Sequence, residues 1–201
     1  MIKNYLKIAL RNIKKYKGYS FINITGLAVG LACFILITLW VQDELGFDKF
    51  HKKKDNLYLL TITHQNGIVD RNVPYALAPL MADEYSEIDG FTRIYDYGNQ
   101  VQSFFKYRPD NDPMVIFNES NIDLVDKHFF SMFSFPFIKG TAGNALEAQN
   151  SVVISEDIAE KYFGNENPTG KILNLNNQRN LTVTGVIHIP DNSHLQPDFI
   201  I

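Results

Sequence analysis

Residues 18–42 read GYSFINITGLAVGLACFILITLWVQ and contain no charged side chain. About 20 consecutive apolar residues are enough for a helix to cross the hydrocarbon core of a bilayer. The run therefore predicts a transmembrane helix over residues 18–42. A cleaved signal peptide is the alternative interpretation, but its apolar core usually covers only roughly 7–15 residues and ends in small side chains. The run is longer than that, and its end at Trp40, Val41 and Gln42 is a poor cleavage sequence, which favours a retained span.

The charges on either side of the run predict its direction. Six Lys and Arg precede Asp43, whereas no Asp or Glu does. Because basic residues next to a span stay on the cytoplasmic side, we expect residues 1–17 inside the cell and residues from about 43 outside. The other 13 Lys and Arg stand against all 22 Asp and Glu, which leaves a net charge of −9 on the rest of the chain. A basic amino-terminal segment thus precedes an acidic remainder of the chain.

Two further patterns concern the membrane. Apolar residues of segment 1–17 recur at helical spacing opposite the basic ones, which predicts an amphipathic helix at the membrane surface. A docking surface for a cytoplasmic partner would show the same pattern. Within the span, Gly26 and Gly30 form a Gly-x-x-x-Gly motif, which lets a second helix approach closely. We expect these two glycines to pack against another helix, although glycine is also simply common in membrane helices.

Segment 43–201 is long enough for one compact domain or two small lobes. The only cysteine, Cys33, lies within the span, so this segment cannot form an internal disulfide. Residues 48–55 are expected to be a hinge between membrane and domain. Hydrophobic periodicity and turn residues predict a mixed α+β fold. The predicted strands cover 56–63, 91–96, 101–107, 114–118, 151–154, 171–175 and 181–187, and the predicted helices cover 79–85, 126–133 and 156–163. Ser155 is expected to cap the last helix, and Gly164 to end it. Asn176 and Asn177 are expected to form the turn between the last two strands.

No pattern in the chain carries a recognisable catalytic site. A metal cluster of His188 and His194 with Asp191 and Asp198 is possible, but the spacing matches no strong zinc motif, and loop or surface histidines without a ligand are the favoured interpretation. Segment 164–171 only superficially resembles a phosphate-binding loop, because five residues separate its glycines and no Ser or Thr follows the Lys. We therefore assign no catalytic, cofactor-binding or metal-binding residues. No basic patch interleaved with aromatic residues lies outside the span, so we expect no nucleic-acid partner.

Eight short segments occur in an order that carries a resemblance. They are LRNIKK (10–15), DELGFDKFH (43–51), DKHFFSMFSFPF (126–137), VVIS (152–155), AEKYFG (159–164), NPTGK (167–171), VTGVI (183–187) and NSHL (192–195). This ordered set resembles bacterial ABC-transporter permeases that combine a MacB-like periplasmic core domain with an FtsX-like permease region. The resemblance covers nearly the whole chain, and its motifs are individually modest.

The resemblance implies a permease subunit in the bacterial inner membrane. A separate cytoplasmic ATPase would hydrolyse ATP, and the membrane helices would transmit its closure to the outer domain, in transport such as efflux or in mechanotransmission. It also implies a permease dimer partner, contact with the lipid bilayer and, in some systems, a periplasmic adaptor. The family offers no catalytic residues or cofactors to assign.

Permeases of this kind normally have further spans, so the chain resembles an amino-terminal fragment in which 43–201 is an incomplete core domain. We expect such a fragment to leave a sheet edge or an apolar patch exposed. The main alternative function is a membrane-anchored extracytoplasmic binding or signalling module that does not transport. An anchored extracytoplasmic enzyme that uses scattered polar residues is the third. The sequence leaves the cargo or signal, the partner identities and the oligomeric state open.

Overall fold

The computed structural model of the protein describes residues 2–98, 100–109 and 113–201, with only the backbone described for Ile2 and Leu6. Met1, which belongs to the predicted segment 1–17, lies outside this part. The chain divides into two compact units, residues 1–47 and residues 48–201. Each unit is described by itself below.

The first unit consists of two helices, α1 (Ile2–Lys15) and α2 (Lys17–Glu44). Helix α2 contains the whole uncharged run and is long and apolar enough to cross a membrane. At 1.5 Å per residue its 28 residues extend over about 42 Å. None of its side chains is buried, which is unlike the core helix of a soluble protein. Helix α1 occupies most of the segment with the amphipathic pattern, and its location at a membrane surface stays a prediction.

The second unit contains eleven strands and three α-helices within the described residues. In chain order they are β1 (Ile62–Thr63), β2 (Val69–Asp70), α3 (Leu77–Glu84), β3 (Ile94–Asp96), β4 (Ser103–Tyr107), β5 (Val115–Glu119), β6 (Ile122–Val125), α4 (Phe129–Met132), β7 (Phe137–Lys139), β8 (Ser151–Ser155), α5 (Glu156–Phe163), β9 (Ile172–Leu175), β10 (Arg179–Ile187) and β11 (Phe199–Ile200). A single 3₁₀ turn covers Lys54–Asn56.

Nine of these strands form one mixed sheet. Its order is β3-β6-β11-β8-β10-β9-β4-β5, with β7 also paired to β10. Strand β8 runs parallel to β10, and β11 runs parallel to β6, whereas the other neighbours are antiparallel. All five residues of β8 and both residues of β11 are buried. The described part therefore confirms an α+β fold, with its most apolar strands at the centre of the sheet as expected for strands covered on both faces.

Each face of the sheet packs against its own apolar layer. On one face α5 contributes Ile158, Tyr162 and Phe163 to a core that includes Phe105, Phe199 and residues of β8, β9 and β10. The opposite face of β8 and β11 packs against a phenylalanine-rich segment around α4. Sequence order explains this arrangement, because alternate residues of β8 point to opposite faces. Val152 and Ile154 belong to the first layer, and Val153 belongs to the second.

The ends of α5 follow the predicted capping chemistry. The Ser155 hydroxyl accepts a hydrogen bond from the Ile158 backbone N–H at 3.3 Å. Gly164 follows the last helical residue with a positive φ of 55°, a conformation that glycine adopts without steric cost. The next hairpin turns at Asn176 and Asn177, whose φ values of 53° and 59° lie in the left-handed region, as a turn of the kind favoured in hairpins requires. These three predictions are confirmed.

One prediction for the start of the domain is wrong. Of the strand predicted over 56–63, only Ile62 and Thr63 pair, and their partner β2 is two residues long. Tyr58, within the predicted strand, is 89% exposed. An alternating pattern cannot form a strand without a neighbouring strand to receive its backbone hydrogen bonds. The predicted hinge over 48–55 stays a prediction. Within this segment, Asp48, His51 and Lys52 form hydrogen bonds with Asn192, His194 and Ser134 of the second unit.

Candidate coupling site after the apolar helix

Asp48 fixes the beginning of the second unit to a loop near the end of the chain. Its backbone N–H donates to the carbonyl of Asn192 at 2.9 Å. Its carboxylate accepts the backbone N–H of His194 at 3.0 Å and lies 2.8 Å from Nδ1 of the same residue. The Asp48 and His194 side chains remain 39% and 63% exposed, and ion pairs this exposed contribute only about 0–1 kcal/mol. These contacts therefore determine position more than stability.

His51 makes the buried half of the same attachment. The residue is only 3% exposed, and its Nδ1 accepts the backbone N–H of Ser134 at 3.0 Å. Because a backbone N–H donates to Nδ1, this nitrogen carries no proton, and the neutral ring is protonated on Nε2. Burial lowers the pKa of His51, and the nearby carboxylate of Asp48 opposes this only in part. The ring is therefore held neutral, as an acceptor.

Aromatic rings surround His51. Its ring lies edge-on to Phe133 and Phe135, with centroid distances of 5.2 Å and 5.3 Å. The ring of the preceding residue, Phe50, lies 5.7 Å from Phe135. Edge-to-face contacts at such distances are favourable beyond the area that they bury. Phe50 and His51 thus place this segment in an aromatic pocket formed by the segment after α4.

The aromatic pocket continues into the centre of the sheet. Phe129 stacks on Phe133 at 4.8 Å and on Phe135 at 6.0 Å. These rings belong to the same buried layer as Val153 of β8 and Ile200 of β11. Residues 48–51 are therefore connected through packed side chains to the two central strands. We name the set Asp48, His51, Ser134, Phe135 and His194 the coupling cluster.

The coupling cluster brings together three sequence segments that lie far apart in the chain. They are 43–51, 126–137 and 192–195, each of which belongs to the ordered motif set. Sequence reasoning interpreted the first as a hinge because it is short, charged and follows a span. Nothing in the sequence around Phe50 and His51 indicates a contact with the aromatic-rich segment 126–137. Only the joint presence of the three motifs could have indicated it.

Very little chain separates α2 from the coupling cluster. Helix α2 ends at Glu44, and Asp48 is the first residue of the second unit. The intervening residues 45–47 form turns with backbone hydrogen bonds back to the end of the helix, from Leu45 to Val41 and from Gly46 to Asp43.

The histidines and aspartates weighed as a metal cluster are used separately. His188 pairs with Glu156, His194 pairs with Asp48, and Asp198 accepts hydrogen bonds from Asn121 and Ser155. Burial raises the pKa of Asp198, and these hydrogen bonds oppose the rise. Across residues 2–98, 100–109 and 113–201, no three His, Cys, Asp or Glu side chains lie close enough together to hold a metal ion.

Segment 164–171 forms a turn between α5 and β9. Gly170 has a φ of 86° and donates its backbone N–H to Val183 at 2.7 Å. The Lys171 ammonium bonds the Glu166 carboxylate at 2.7 Å, so this segment neutralises its own charge. It follows a helix, as the sequence indicates.

Gly26 and Gly30 lie on α2 in open surroundings. A Cβ atom added at either position would meet no atom within 4 Å. Neither glycine is therefore needed for a contact within the described residues. Their packing against another helix stays a prediction.

Carboxylates face each other at one edge of the sheet. The β3–β6 register places Asp96 directly opposite Asp123, an arrangement of like charges that disfavours pairing. Burial, together with the charge of Asp96, raises the pKa of Asp123 to about 6. Nearby, Arg93 compensates Asp126 through Nε at 2.9 Å and its second guanidinium nitrogen at 2.5 Å, and these bonds lower the pKa of the Asp126 carboxyl.

Comparison with known proteins connects this arrangement to one family. Residues 20–201 match the family model of the MacB-like periplasmic core domain. No curated protein sequence matches the chain.

Several solved structures are similar to the chain. A permease protein domain from Porphyromonas gingivalis is 23% identical over 62% of this chain and 55% of that chain, with a TM-score of 0.41. The periplasmic region of MacB from Actinobacillus actinomycetemcomitans is 20% identical over 50% and 43%, with a TM-score of 0.37. The extracellular domain of the noncanonic ABC-type transporter YknZ from Gram-positive bacteria is 18% identical over 52% and 55%, with a TM-score of 0.33. The chain thus spans about half the length of these solved chains.

Proposed function

Because the chain belongs to the family of MacB-like periplasmic core domains, we propose that it is part of a permease subunit of an ABC-type transporter or mechanotransmission complex. A separate cytoplasmic ATPase would hydrolyse ATP, and this chain would couple that hydrolysis to its extracytoplasmic domain. The chain itself would catalyse no reaction. The second unit, residues 48–201, would be the moving extracytoplasmic part.

The observation that carries this proposal is the coupling cluster. A helix that transmits force needs an attachment that does not slide, and the rings around His51 are packed against buried strands. Closely packed interiors transmit displacement, because they have few voids to absorb it. A movement of α2 would therefore reach β8 and β11 through residues 48–51. The exposed Asp48–His194 pair would hold residues 48–51 in one orientation on the second unit.

The location follows from charge and from the span. We infer that α1 and the amino terminus lie in the cytoplasm of a bacterial cell, α2 crosses the inner membrane, and residues from about 43 lie outside. The basic residues of α1 would lie near the ATPase and the anionic lipid surface. Gly26 and Gly30 would pack against further permease helices or the permease dimer partner. A periplasmic adaptor would be a partner of the outer domain in some systems.

Reporter fusions test the location. Alkaline phosphatase joined after Asn66, in the exposed turn between β1 and β2, should be active because it would lie outside the cytoplasm. The matched fusion after Lys15, at the end of α1, should be inactive. An inactive but stably expressed fusion after Asn66 would contradict the proposed direction.

Co-purification and ATP hydrolysis test the coupling role. The permease that contains this chain should co-purify with a cytoplasmic ABC ATPase, and the Asp48→Ala variant should retain this binding but reduce the response of the outer domain to ATP. Asp55→Ala is the control, since Asp55 is exposed and bonds only the neighbouring Lys54 among the contacts described. The response can be followed as ATP-dependent hydrogen exchange in β8 and β11. Equal exchange in the two variants would contradict the role of Asp48.

The same experiment separates transport from the alternative of a binding or signalling module. ATP-dependent movement of the outer domain with no substrate translocated in reconstituted vesicles would favour mechanotransmission. If no ATPase associates with the permease, the anchored module becomes the better account. A hydrolytic activity lost in His188→Ala, Asp191→Ala and His194→Ala variants that still fold would instead favour an enzyme.

A further inference from the structure

An open, basic face lies on the sheet opposite α5. The β4–β5 register pairs Lys106 with Ile116 and Phe104 with Asn118, and the β4–β9 register pairs Lys106 with Asn174. Residues that lie directly opposite each other point to the same face, so these side chains share one surface. This surface is formed by Phe104, Lys106, Ile116, Asn118, Ile172 and Asn174. Ile116 and Ile172 are half exposed, so apolar area lies beside the cation.

The charge on this face differs from that of the rest of the domain. Among the residues of β4, β5, β9 and β10 the single acidic side chain is Glu119. Glu119 points to the opposite face, where it bonds Lys161 at 2.8 Å and the Tyr162 hydroxyl at 2.7 Å. On the open face, Lys106 and Arg108 line a shallow depression of about 410 Å³. A basic surface on an acidic body favours an acidic partner.

Among the residues that the structure describes, the same surface ends at an unpaired strand edge. Strand β5 is the last strand of the sheet order. The backbone of Phe104 bonds Asn176, donating to Oδ1 at 2.8 Å and accepting from the backbone N–H at 3.0 Å. The backbone groups of Phe104 therefore point toward β9, and those of the next residue toward β5, because they alternate along a strand. On β5, the N–H and C=O groups of Ile116 and Asn118 consequently point out of the sheet.

An edge of this kind receives another strand readily. Neither Ile116 nor Asn118 has a backbone partner on that side among the described residues. A second copy of the chain is a poor occupant, since a symmetric contact would bring Lys106 and Arg108 of both copies together. We propose that β5 accepts an extended acidic segment of a partner protein as an additional strand. This partner interaction goes beyond the proposed permease function and does not depend on it.

The geometry fixes the pattern of the segment. Strands lie about 4.8 Å apart, so an added strand lies about 10 Å from β4. A Glu side chain reaching across Ile116 can meet the extended side chain of Lys106 over this distance. Every second residue of the segment points to this face. The segment should therefore carry Glu at alternate positions and residues that favour strands between them.

Peptide binding to the full chain in nanodiscs of neutral lipid tests the proposal. The probe is a fluorescent nine-residue peptide of alternating Glu and Val, compared with one of alternating Lys and Val. The Glu peptide should bind, and the Lys106→Glu/Arg108→Glu variant should weaken binding by roughly tenfold or more because attraction becomes repulsion. The control variant Lys127→Glu/Lys139→Glu changes the net charge equally at exposed positions elsewhere. It should bind the peptide like the natural chain.

Two further changes test the strand edge rather than the charge. Ile116→Pro removes the outward N–H and leaves the hydrogen bonds to β4 in place, since proline is tolerated on edge strands. It should weaken binding by a similar factor. Should this variant fold poorly, a Glu peptide N-methylated at alternate residues provides the same test without altering the protein. The N-methylated peptide should bind much more weakly than the unmethylated peptide.

Three results would overturn the proposal. The first is no binding of the Glu peptide, and the second is equal binding of the Glu and Lys peptides. The third is binding that depends on Lys106 and Arg108 but is unaffected by Ile116→Pro and by N-methylation. That last result would identify a purely electrostatic surface, such as one for anionic lipid, which vesicles of phosphatidylglycerol would then bind through the same two cations.

Discussion

Replacing His51 with Phe tests the coupling cluster at its buried centre. The change retains a ring of similar size among Phe50, Phe133 and Phe135 but removes the nitrogen that accepts the Ser134 N–H at 3.0 Å. Leaving a buried donor unsatisfied costs about 1–3 kcal/mol. Since the ring volume is nearly conserved, we expect no additional cavity cost. The free energy of unfolding of the outer unit should fall by about 1–3 kcal/mol, or about 2–4 °C in midpoint temperature per kcal/mol.

The pH dependence of the free energy of unfolding tests this prediction in a second, independent way. The unfolded pKa of His is about 6.5, whereas burial lowers the folded pKa of His51. Below about pH 6.5 the unfolded state therefore binds the proton first, so the contribution of His51 to stability is lost as the pH falls. Phe does not titrate. The stability difference between the natural chain and His51→Phe should be largest above pH 7 and shrink toward pH 5.

Pulse proteolysis of the full chain in detergent, across a urea series, measures the unfolded fraction. Hydrogen exchange at the Ser134 amide reports the bond itself and should accelerate in His51→Phe. His51→Asn is the matched variant, because its side-chain oxygen can still accept this N–H. Unchanged stability and unchanged Ser134 exchange in His51→Phe would refute the role assigned to the ring nitrogen.

Three other variants probe the sheet edge, the cap and the span. Asp123→Asn should stabilise the outer unit at pH 7. In the natural chain, stability should fall as the pH rises from about 4 to 6, because the folded pKa of Asp123 is raised to about 6 and the unfolded state releases its proton first; the variant should lack this fall. Thermal unfolding at several pH values measures this, and an unchanged profile would argue against the pairing with Asp96. Ser155→Ala should cost about 1 kcal/mol by leaving the first turn of α5 uncapped, measured by urea unfolding, with Ser155→Thr as the conservative control. The double variant Gly26→Ile/Gly30→Ile should weaken co-purification with other permease helices, while membrane insertion persists. Undiminished co-purification would show that the two glycines have no role in helix packing.

The sequence predicted those parts of the fold whose local signals agree. The uncharged run, the cap at Ser155, the stop at Gly164 and the turn at Asn176 each have a local physical cause, and each occurs where it was expected. The buried strand β8 was equally clear, because its apolar residues are continuous. Elements of this kind depend little on distant parts of the chain.

The parts that failed depend on distant partners. Residues 57–61 alternate like a strand but have no neighbouring strand to pair with in the described part of the chain. The contact of His51 could not be predicted, because nothing in its sequence neighbourhood indicates that Ser134, 83 residues away, donates its hydrogen bond. Strand β11 was missed, because two residues give no periodicity, and its place at the centre of the sheet comes from β6 and β8.

The central claim of the proposed function is that residues 45–47 transmit a displacement of α2 to the coupling cluster. Inserting Gly-Ser-Gly-Ser between Phe47 and Asp48 should leave the outer unit folded and the ATPase bound, yet abolish the ATP-dependent change in hydrogen exchange at β8 and β11. The same insertion after Gly143, in a loop with open space around that glycine, should leave this change intact. A full ATP response with the insertion after Phe47 would contradict the account.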